Sequence, residues 1–137
     1  MISKEIFYSG TSVQKEVIEL HQFFQDWFNG KLKKDRFNQV DQVIAQDFEL
    51  IHPDGNKLSR EQIISSIRDG QSTRTDMDMW VEDIFTRRVG ELMFSTYYEV
   101  HRENETIKRR ISSALFSYAP DTPNYCQWLH VHETWCE

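Results

Sequence analysis

The chain has 137 residues, of which 39% are hydrophobic and 13% aromatic, enough for the core of one domain and too many for a disordered segment. The 16 basic and 22 acidic residues give a net charge of -6, which disfavours binding to nucleic acid or to an anionic membrane because both require a positive field. No apolar segment approaches the length of a membrane span, and the first residues do not resemble a signal peptide. We expect a single domain over residues 1–137, with neither nucleic acid nor membrane as a partner.

The first predicted element is a long amphipathic helix over residues 11–34. Its apolar residues recur at three- and four-residue spacing and therefore share one face. They are Val13, Val17, Leu20, Phe24, Trp27 and Phe28. Thr11 or Ser12 can cap the start, and the basic residues after Gly30 suit a helix end or a solvated connection.

A short second helix, a strand and a third helix are predicted next. The helix covers residues 37–45, and the strand covers residues 48–52 and ends at a Pro-Asp-Gly turn. Ser59 and Gln62 form a capping box, in which each side chain accepts a hydrogen bond from a free backbone N–H. The third helix begins there and can end at Gly70.

From Thr75 onward the apolar residues alternate, which predicts four strands. They cover residues 76–88, 91–103, 106–119 and 125–136. Helices followed by an antiparallel meander define an α+β domain.

The cross-strand partners follow if Val89-Gly90 and Asn104-Glu105 are two-residue turns and Tyr118 pairs with Tyr125. One face then collects Met79, Val81, Phe85, Leu92, Phe94, Val100, Ile111, Leu115 and Trp128. The other collects Asp78, Trp80, Glu82, Tyr97, Glu99, His101, Lys108 and Arg110, with Glu99 opposite Arg110. We expect the first, more apolar face to meet the helices.

A polar stripe crosses that first face. Its central row is Asp83, Thr96, Ser113 and His130, and the neighbouring rows include Tyr98, Arg109, Trp128 and His132. Such a stripe beneath aromatic helices is typical of an enclosed pocket with a few polar groups. A satisfied internal hydrogen-bond network uses the same residue types, so both interpretations stay open.

Two of these positions suggest more specific chemistry. His130 and His132 share a strand face at a spacing that can chelate zinc, but no compact cluster supplies a third ligand, so we predict no metal and no other cofactor. If Arg109 points inward, it is the candidate for an anionic group of a ligand; at a strand end it can instead reach solvent.

Two passages resemble the nuclear transport factor 2-like superfamily, also called SnoaL-like or ketosteroid-isomerase-like. The first comprises QDFELIHPDG at residues 46–55 and SRE at residues 59–61. The second is QWLHVHETW at residues 127–135, combined with RRISSALF at residues 109–116. The order of helices, inserted strand and four-strand meander also matches along nearly the whole chain.

The resemblance implies a cystatin-like cone, with three N-terminal helices packed on a curved, mostly antiparallel sheet around a cone-shaped pocket. In ketosteroid isomerases an Asp before the Pro is the general base, and His52 holds that position here. An imidazole titrates near neutrality and could do the same work, or His52 could be a hydrogen-bonded core residue. The isomerase tyrosine would fall near Phe24, which has no hydroxyl, so steroid isomerisation is not implied.

Residues on the predicted strands also indicate the oligomeric state and the cellular compartment. Trp80, Leu129, Val131 and Trp135 leave apolar area on the outer sheet face, which predicts a symmetric homodimer. Cys126 and Cys136 lie too far apart along one strand for a disulfide, and two unpaired thiols fit the cytoplasm.

The sequence therefore predicts a protein that binds a small, mostly apolar organic molecule, with His52 as the candidate catalytic base. The candidate ligand-binding residues are Asp83, Tyr98, Arg109, Ser113, Trp128, His130 and His132. The chemistry would be of the isomerase, cyclase or hydratase type. The alternative is a non-catalytic homodimeric binding or interaction module, and the sequence does not decide between an enzyme and such a module.

Overall fold

The structure is a computed structural model that describes residues 4–136. Its α-helices are α1 (Gly10–Phe28), α2 (Asn38–Val43) and α3 (Arg60–Asp69), and 3-10 helices cover Lys4–Phe7 and Lys34–Phe37. Its strands are β1 (Ile44–Ile51), β2 (Lys57–Ser59), β3 (Asp78–Val89), β4 (Leu92–Glu103), β5 (Thr106–Tyr118) and β6 (Cys126–Trp135). The predicted α+β class is confirmed.

The six strands form one sheet in the order β2-β1-β6-β5-β4-β3. Every neighbouring pair is antiparallel except β1 and β6, which are parallel. The predicted meander of the last four strands is therefore present. The predicted succession of three N-terminal helices is only partly observed, because β1 and β2 precede α3 and α2 has six residues.

Helix α1 is bounded differently from the prediction. Ser9, not Thr11 or Ser12, caps its start, and the Ser12 amide donates to the Ser9 hydroxyl at 3.3 Å. The helix ends at Phe28 because Gly30 adopts a left-handed φ of 81° and the Lys31 amide bonds back to the Asp26 carbonyl. This is a Schellman ending, which only a residue without a β-carbon adopts at little cost.

The segment between α1 and β3 departs from the prediction in one place and agrees in another. The chain leaves helix α2 at Val43 and becomes extended from Ile44, so β1 starts before the predicted residue 48. The capping box of α3 is confirmed, because Ser59 and Gln62 exchange hydrogen bonds at 3.2 and 2.8 Å.

The registers of the meander differ from the prediction at two bulges. The β4–β5 turn at Asn104-Glu105 is confirmed, with φ values of 52° and 69°. The first turn is shifted, because Val89 pairs with Leu92. Asp83, with a φ of 51°, lies in a bulge of β3.

The second bulge reverses the orientation of the end of β6. Trp128 pairs with Phe116 whereas His130 pairs with Leu115, so Leu129 is the extra residue. The alternation of side chains between the two faces of the sheet is therefore reversed after Leu129. Glu133 is consequently buried at 5% exposure on the face that meets the helices.

The face of the sheet that packs against the helices, here called the inner face, is not the predicted one on β4 and β5. Its buried residues there are Met93, Ser95, Tyr97, Glu99, Ser112, Ala114 and Phe116. Met79, Val81 and Trp128 lie on the inner face as predicted. The β4–β5 pairing itself is correct, including Glu99 opposite Arg110, so the error concerns which face is buried.

The physical reason is that the outer face is also apolar but is covered by arginines. The Arg109 guanidinium lies 5.8 Å from the Tyr98 ring centre, and Arg87 lies 5.2 Å from that of Phe94. Long cationic side chains can cover aromatic rings while their charged ends stay in water. Counting apolar residues per face therefore selects the wrong face.

Among the described residues no helix is long and apolar enough to span a membrane. Cys126 is buried and Cys136 is partly buried, and both are free thiols.

Candidate active site

A cavity of about 300 Å³ lies between the inner face and helices α1 and α3; it is called the inner cavity here. Its apolar lining includes Leu20, Phe24, Phe48, Ile63, Met79 and Trp128. Its polar lining includes His21, Tyr97, Glu99, His101, Arg110 and Glu133. An apolar wall with a few convergent polar groups is typical of a small-molecule site, and this volume is at the lower end for such sites.

Glu99 is the centre of the polar group and is 3% exposed. Its Oε1 lies 2.5 Å from His21 Nε2, and its Oε2 lies 2.5 Å from His101 Nε2 and in contact with Arg110. Burial raises the pKa of Glu99, but these three partners outweigh burial and hold it well below its usual range. Glu99 is therefore a fixed negative charge.

His21 is held in one orientation by both of its ring nitrogens. Nδ1 lies 2.7 Å from the Val17 carbonyl oxygen, which only accepts, so Nδ1 carries a hydrogen. Nε2 lies at hydrogen-bond distance from the Glu99 carboxylate. Helix α1 thus supplies a fixed imidazole to the cavity wall.

Glu133 behaves in the opposite way to Glu99. Its Oε2 lies 2.8 Å from Arg110 Nε. Burial raises the pKa of Glu133 to about 7, and the Glu99 charge adds to this while Arg110 opposes it. Arg110 is shared between two carboxylates, those of Glu99 and Glu133, and its effect on Glu133 does not outweigh burial. Glu133 is therefore a buried carboxyl group that can exist in both protonation states near neutrality.

A third buried carboxyl group, that of Glu16, does not line the inner cavity but contacts a residue that does. Trp128 lines the inner cavity, and its Nε1 donates to Glu16 Oε2 at 2.9 Å. Asn124 donates to the other Glu16 oxygen at 3.1 Å. Burial raises the pKa of Glu16 to about 7, because its hydrogen-bond donors are uncharged.

Two of the predicted site residues line the inner cavity, namely His52 and Trp128. His52 follows β1 directly, its side chain is 41% exposed, and its Nδ1 lies 3.4 Å from an Asp54 carboxylate oxygen. It therefore lies at the solvent side of the cavity. Its role as a base stays a prediction.

The predicted orientation of the other six residues is wrong, because they belong to the outer face or to a bulge. Arg109 pairs with Glu82 at 2.6 Å and covers Tyr98, and Asp83 lies in the β3 bulge. The side chains of Asp83, Tyr98 and Arg109 therefore do not line the inner cavity.

Ser113, His130 and His132 are displaced by the bulge in β6 and the exchanged faces. Ser113 pairs with His132 rather than with His130. His130 Nδ1 lies 3.8 Å from Glu49 on the neighbouring strand. The described residues contain no group of three His, Cys, Asp or Glu side chains arranged to hold a metal ion.

The sequence reasoning missed the residues that form the polar lining. They are His21, Tyr97, Glu99, His101, Arg110 and Glu133. One pattern in the sequence could have identified them. Tyr97, Glu99 and His101 alternate along one strand, opposite Arg110, so ionisable groups are concentrated on one face. A face with complementary charges can be buried as a hydrogen-bonded network.

The comparisons with known proteins agree with this fold. The sequence matches the family "Sucrose-6-phosphate phosphohydrolase C-terminal" over residues 13–137. No curated protein matches it.

The structure is similar to solved structures of NTF2-like proteins. An NTF2-like protein of unknown function from Pseudomonas aeruginosa has a TM-score of 0.83 and 20% identity over 92% of this chain and 99% of its own. A candidate dehydratase of the NTF2-like family from Streptomyces avermitilis has a TM-score of 0.61 and 13% identity over 90% and 99%. A CaMKII hub from S. rosetta has a TM-score of 0.62 and 12% identity over 80% and 92%.

The predicted resemblance to the nuclear transport factor 2-like superfamily is thus confirmed. Because the family match covers most of the sequence, the chain belongs to the sucrose-6-phosphate phosphohydrolase C-terminal family and has an NTF2-like fold.

Proposed function

We propose that this protein binds a small, mostly apolar organic molecule in a cone-shaped inner cavity and transfers a proton to or from it. The observation that carries the proposal is Glu133, a buried carboxyl group on the cavity wall whose pKa lies at about 7. A group with a pKa near the ambient pH is effective both as an acid and as a base.

The surroundings of Glu133 suit this role. Glu99 and Arg110 are opposite charges held in place, so they can stabilise charge that develops on a substrate without moving. The apolar wall lowers the local dielectric, which strengthens these interactions. Proton transfer of this kind serves isomerase, cyclase or hydratase chemistry. Structural neighbours include a candidate dehydratase and a candidate ketosteroid isomerase, in agreement with that range.

His52 is the second candidate for the proton-transfer group. It lies at the solvent side of the cavity, where a residue can exchange protons with water. A base on the wall and an exchanging group at the mouth would together return the site to its starting state after each turnover.

A non-catalytic module is the competing function, and one observation favours it. Both Glu99 oxygens are already occupied by donors of this chain, as in a network whose role is structural. The family name refers to the C-terminal part of a phosphohydrolase, and one structural neighbour is a kinase hub, which fits a binding or assembly role.

We also propose a homodimer formed through the outer sheet face, in the cytoplasm. Phe85 is 63% exposed there, and Ile111 is a second exposed apolar residue on the same face. Val131 and Trp135, which the sequence placed on this face, lie on the inner side. The free thiols of Cys126 and Cys136 are compatible with a reducing compartment.

The experiment has two steps, of which the first is a thermal-shift screen against small carbonyl compounds. A ligand at about 100 times its Kd should add about 2.7 kcal/mol to the free energy of unfolding. In the second step, each ligand found is incubated with the protein in D2O, and proton NMR follows exchange of the hydrogens next to the carbonyl.

We expect Glu133→Gln to bind the ligand and to lose exchange, whereas Glu82→Gln, an exposed control on the outer face, keeps both. His52→Ala tests the second candidate in the same assay. Binding without exchange by the unmodified protein would support the non-catalytic module. No binding by any compound would contradict the proposed ligand site.

A further inference from the structure

A second cavity of about 420 Å³ adjoins the inner cavity; it is called the outer chamber here. Arg74, His101 and Arg110 line both volumes. The outer chamber is also lined by Glu103, Asn104, Thr106, Lys108 and Trp135. A molecule too long for the inner cavity would therefore extend into the outer chamber.

The strand register explains why the two volumes adjoin. His101 pairs with Lys108, and Arg110 pairs with Trp135, so these side chains continue the inner face beyond the Glu99 network. Lys108 is exposed, which shows that the helices no longer cover the sheet at this point. The inner cavity is mostly apolar and the outer chamber is mostly polar, on one continuous surface.

The charges of the outer chamber are unevenly matched. Arg74 is paired with Glu103 at 3.0 Å, and Arg110 is held by the two carboxylates of the inner cavity. Lys108 forms no ion pair within the described part of the chain, and its ammonium lies 5.9 Å from the centre of the Trp135 ring. The charge of Lys108 acts on Glu103, whose pKa it helps to lower, but its ammonium has no carboxylate at ion-pair distance among the described residues and can bind a group from outside.

We propose that the outer chamber binds the anionic head group of the ligand whose apolar part occupies the inner cavity. The ligand class is then an amphipathic organic anion, with a carboxylate or a phosphate monoester at one end. Lys108 supplies the charge, and the Thr106 hydroxyl and Asn104 amide can donate further hydrogen bonds to such a group. The inference rests on the proposed function, because it assumes that the inner cavity holds the rest of the molecule.

The test compares three probes that share an apolar body: phenylbutyrate, phenylbutanol and phenylpropyl phosphate. Isothermal titration calorimetry measures each Kd for the unmodified protein and for Lys108→Gln and Lys108→Arg. Lys33→Gln is the matched control, because Lys33 is an exposed lysine that lines neither cavity.

We expect at least one anion to bind about tenfold more tightly than the alcohol, and the tighter anion identifies the head group. Lys108→Gln should remove most of that difference without changing the Kd of the alcohol, while Lys108→Arg and Lys33→Gln keep it. Equal binding of all three probes, or anion binding that Lys108→Gln leaves unchanged, would overturn the inference and leave the proposed function standing. No binding of any probe would overturn both.

Discussion

Glu99 and Glu16 are both 3% exposed, yet they have opposite electrostatic properties. Glu99 is surrounded by His21, His101 and Arg110, and its pKa lies well below the usual range. Glu16 receives hydrogen bonds only from uncharged donors, and its pKa lies at about 7. Burial alone raises the pKa of a carboxyl group, so the charge of the partners decides which buried carboxylate is permanent.

Glu133 is intermediate between Glu99 and Glu16 in the charge of its surroundings. It has one cationic partner, Arg110, but shares that partner with Glu99. Its pKa is about 7, and it lines the same cavity as the permanently ionised Glu99. Sites that combine carboxyl groups with separated pKa values are typical of acid–base chemistry.

The largest expected effect is that of removing the shared cation. Arg110→Met leaves Glu99 and Glu133 buried without a guanidinium, and we expect a loss of about 3–5 kcal/mol in the free energy of unfolding at neutral pH. Urea unfolding measures the loss. Arg109→Met is the control one residue away, because its ion pair with Glu82 is about half exposed and should contribute at most about 1 kcal/mol. Equal losses of stability in the two variants would contradict the assignment of Arg110 as the shared cation of Glu99 and Glu133.

The second prediction uses Glu16, whose pKa in the folded protein is raised above the unfolded value. Its contribution to stability is fully present below pH 4.5 and is lost as pH rises through about 7. Glu16→Gln removes this loss, so its stability relative to the unmodified protein should improve by about 2.5 kcal/mol between pH 5 and pH 8.

Urea unfolding at both pH values checks the Glu16 prediction. Glu19→Gln serves as the control, because Glu19 is exposed and shares the same donor, Asn124. A stability difference between Glu16→Gln and the unmodified protein that does not change with pH would show that Glu16 is not a buried acid.

Glu99→Gln should show the opposite pH dependence. A depressed pKa contributes stability that is present above the unfolded pKa of 4.5 and is lost as pH falls through the folded pKa. We expect the variant to be less stable by about 2 kcal/mol at pH 7, with the difference shrinking below pH 4.5. Thermal unfolding followed by circular dichroism over this pH range measures it. A difference that grows in acid would contradict the assignment.

The smallest effect concerns the hydrogen bond between Trp128 and Glu16. Trp128→Phe removes an indole N–H that lowers the pKa of Glu16, so this pKa should rise above 7. The hydrogen bond itself is worth about 1 kcal/mol. A carbon-13 NMR titration of the Glu16 carboxyl group checks the direction. Trp135→Phe is the control, because Trp135 is exposed and lies at the opposite end of β6 from Trp128.

Much of the fold could be predicted because local rules decided it. The spacing of Val13, Val17 and Leu20 and the capping box at Ser59 identify α1 and α3. The Asn104-Glu105 turn sets the β4–β5 register. These features depend on neighbours in the sequence, so they are visible without the structure.

The site could not be predicted in the same way. Which side chains reach the site depends on the bulge at Leu129, and no glycine or other turn residue indicates that bulge in the sequence. It also depends on which of two sheet faces meets the helices, and both faces carry polar as well as apolar residues. The buried face of β4 carries Tyr97, Glu99 and His101, whereas the outer face carries Phe94 and Tyr98. Local patterning fails most often where a polar site replaces part of the core.

The central claim is that Glu133 titrates near neutrality beside a permanently ionised Glu99. A carbon-13 NMR titration of the glutamate carboxyl groups tests it directly, with Glu133→Gln, Glu99→Gln and Glu16→Gln used to assign the resonances. We predict a midpoint at about pH 7 for Glu133 and ionisation of Glu99 that persists well below pH 4.5. A Glu133 midpoint below the ordinary value of 4.5 would contradict the account, because Glu133 would then be a second fixed charge beside Glu99 and could not exchange a proton near neutrality.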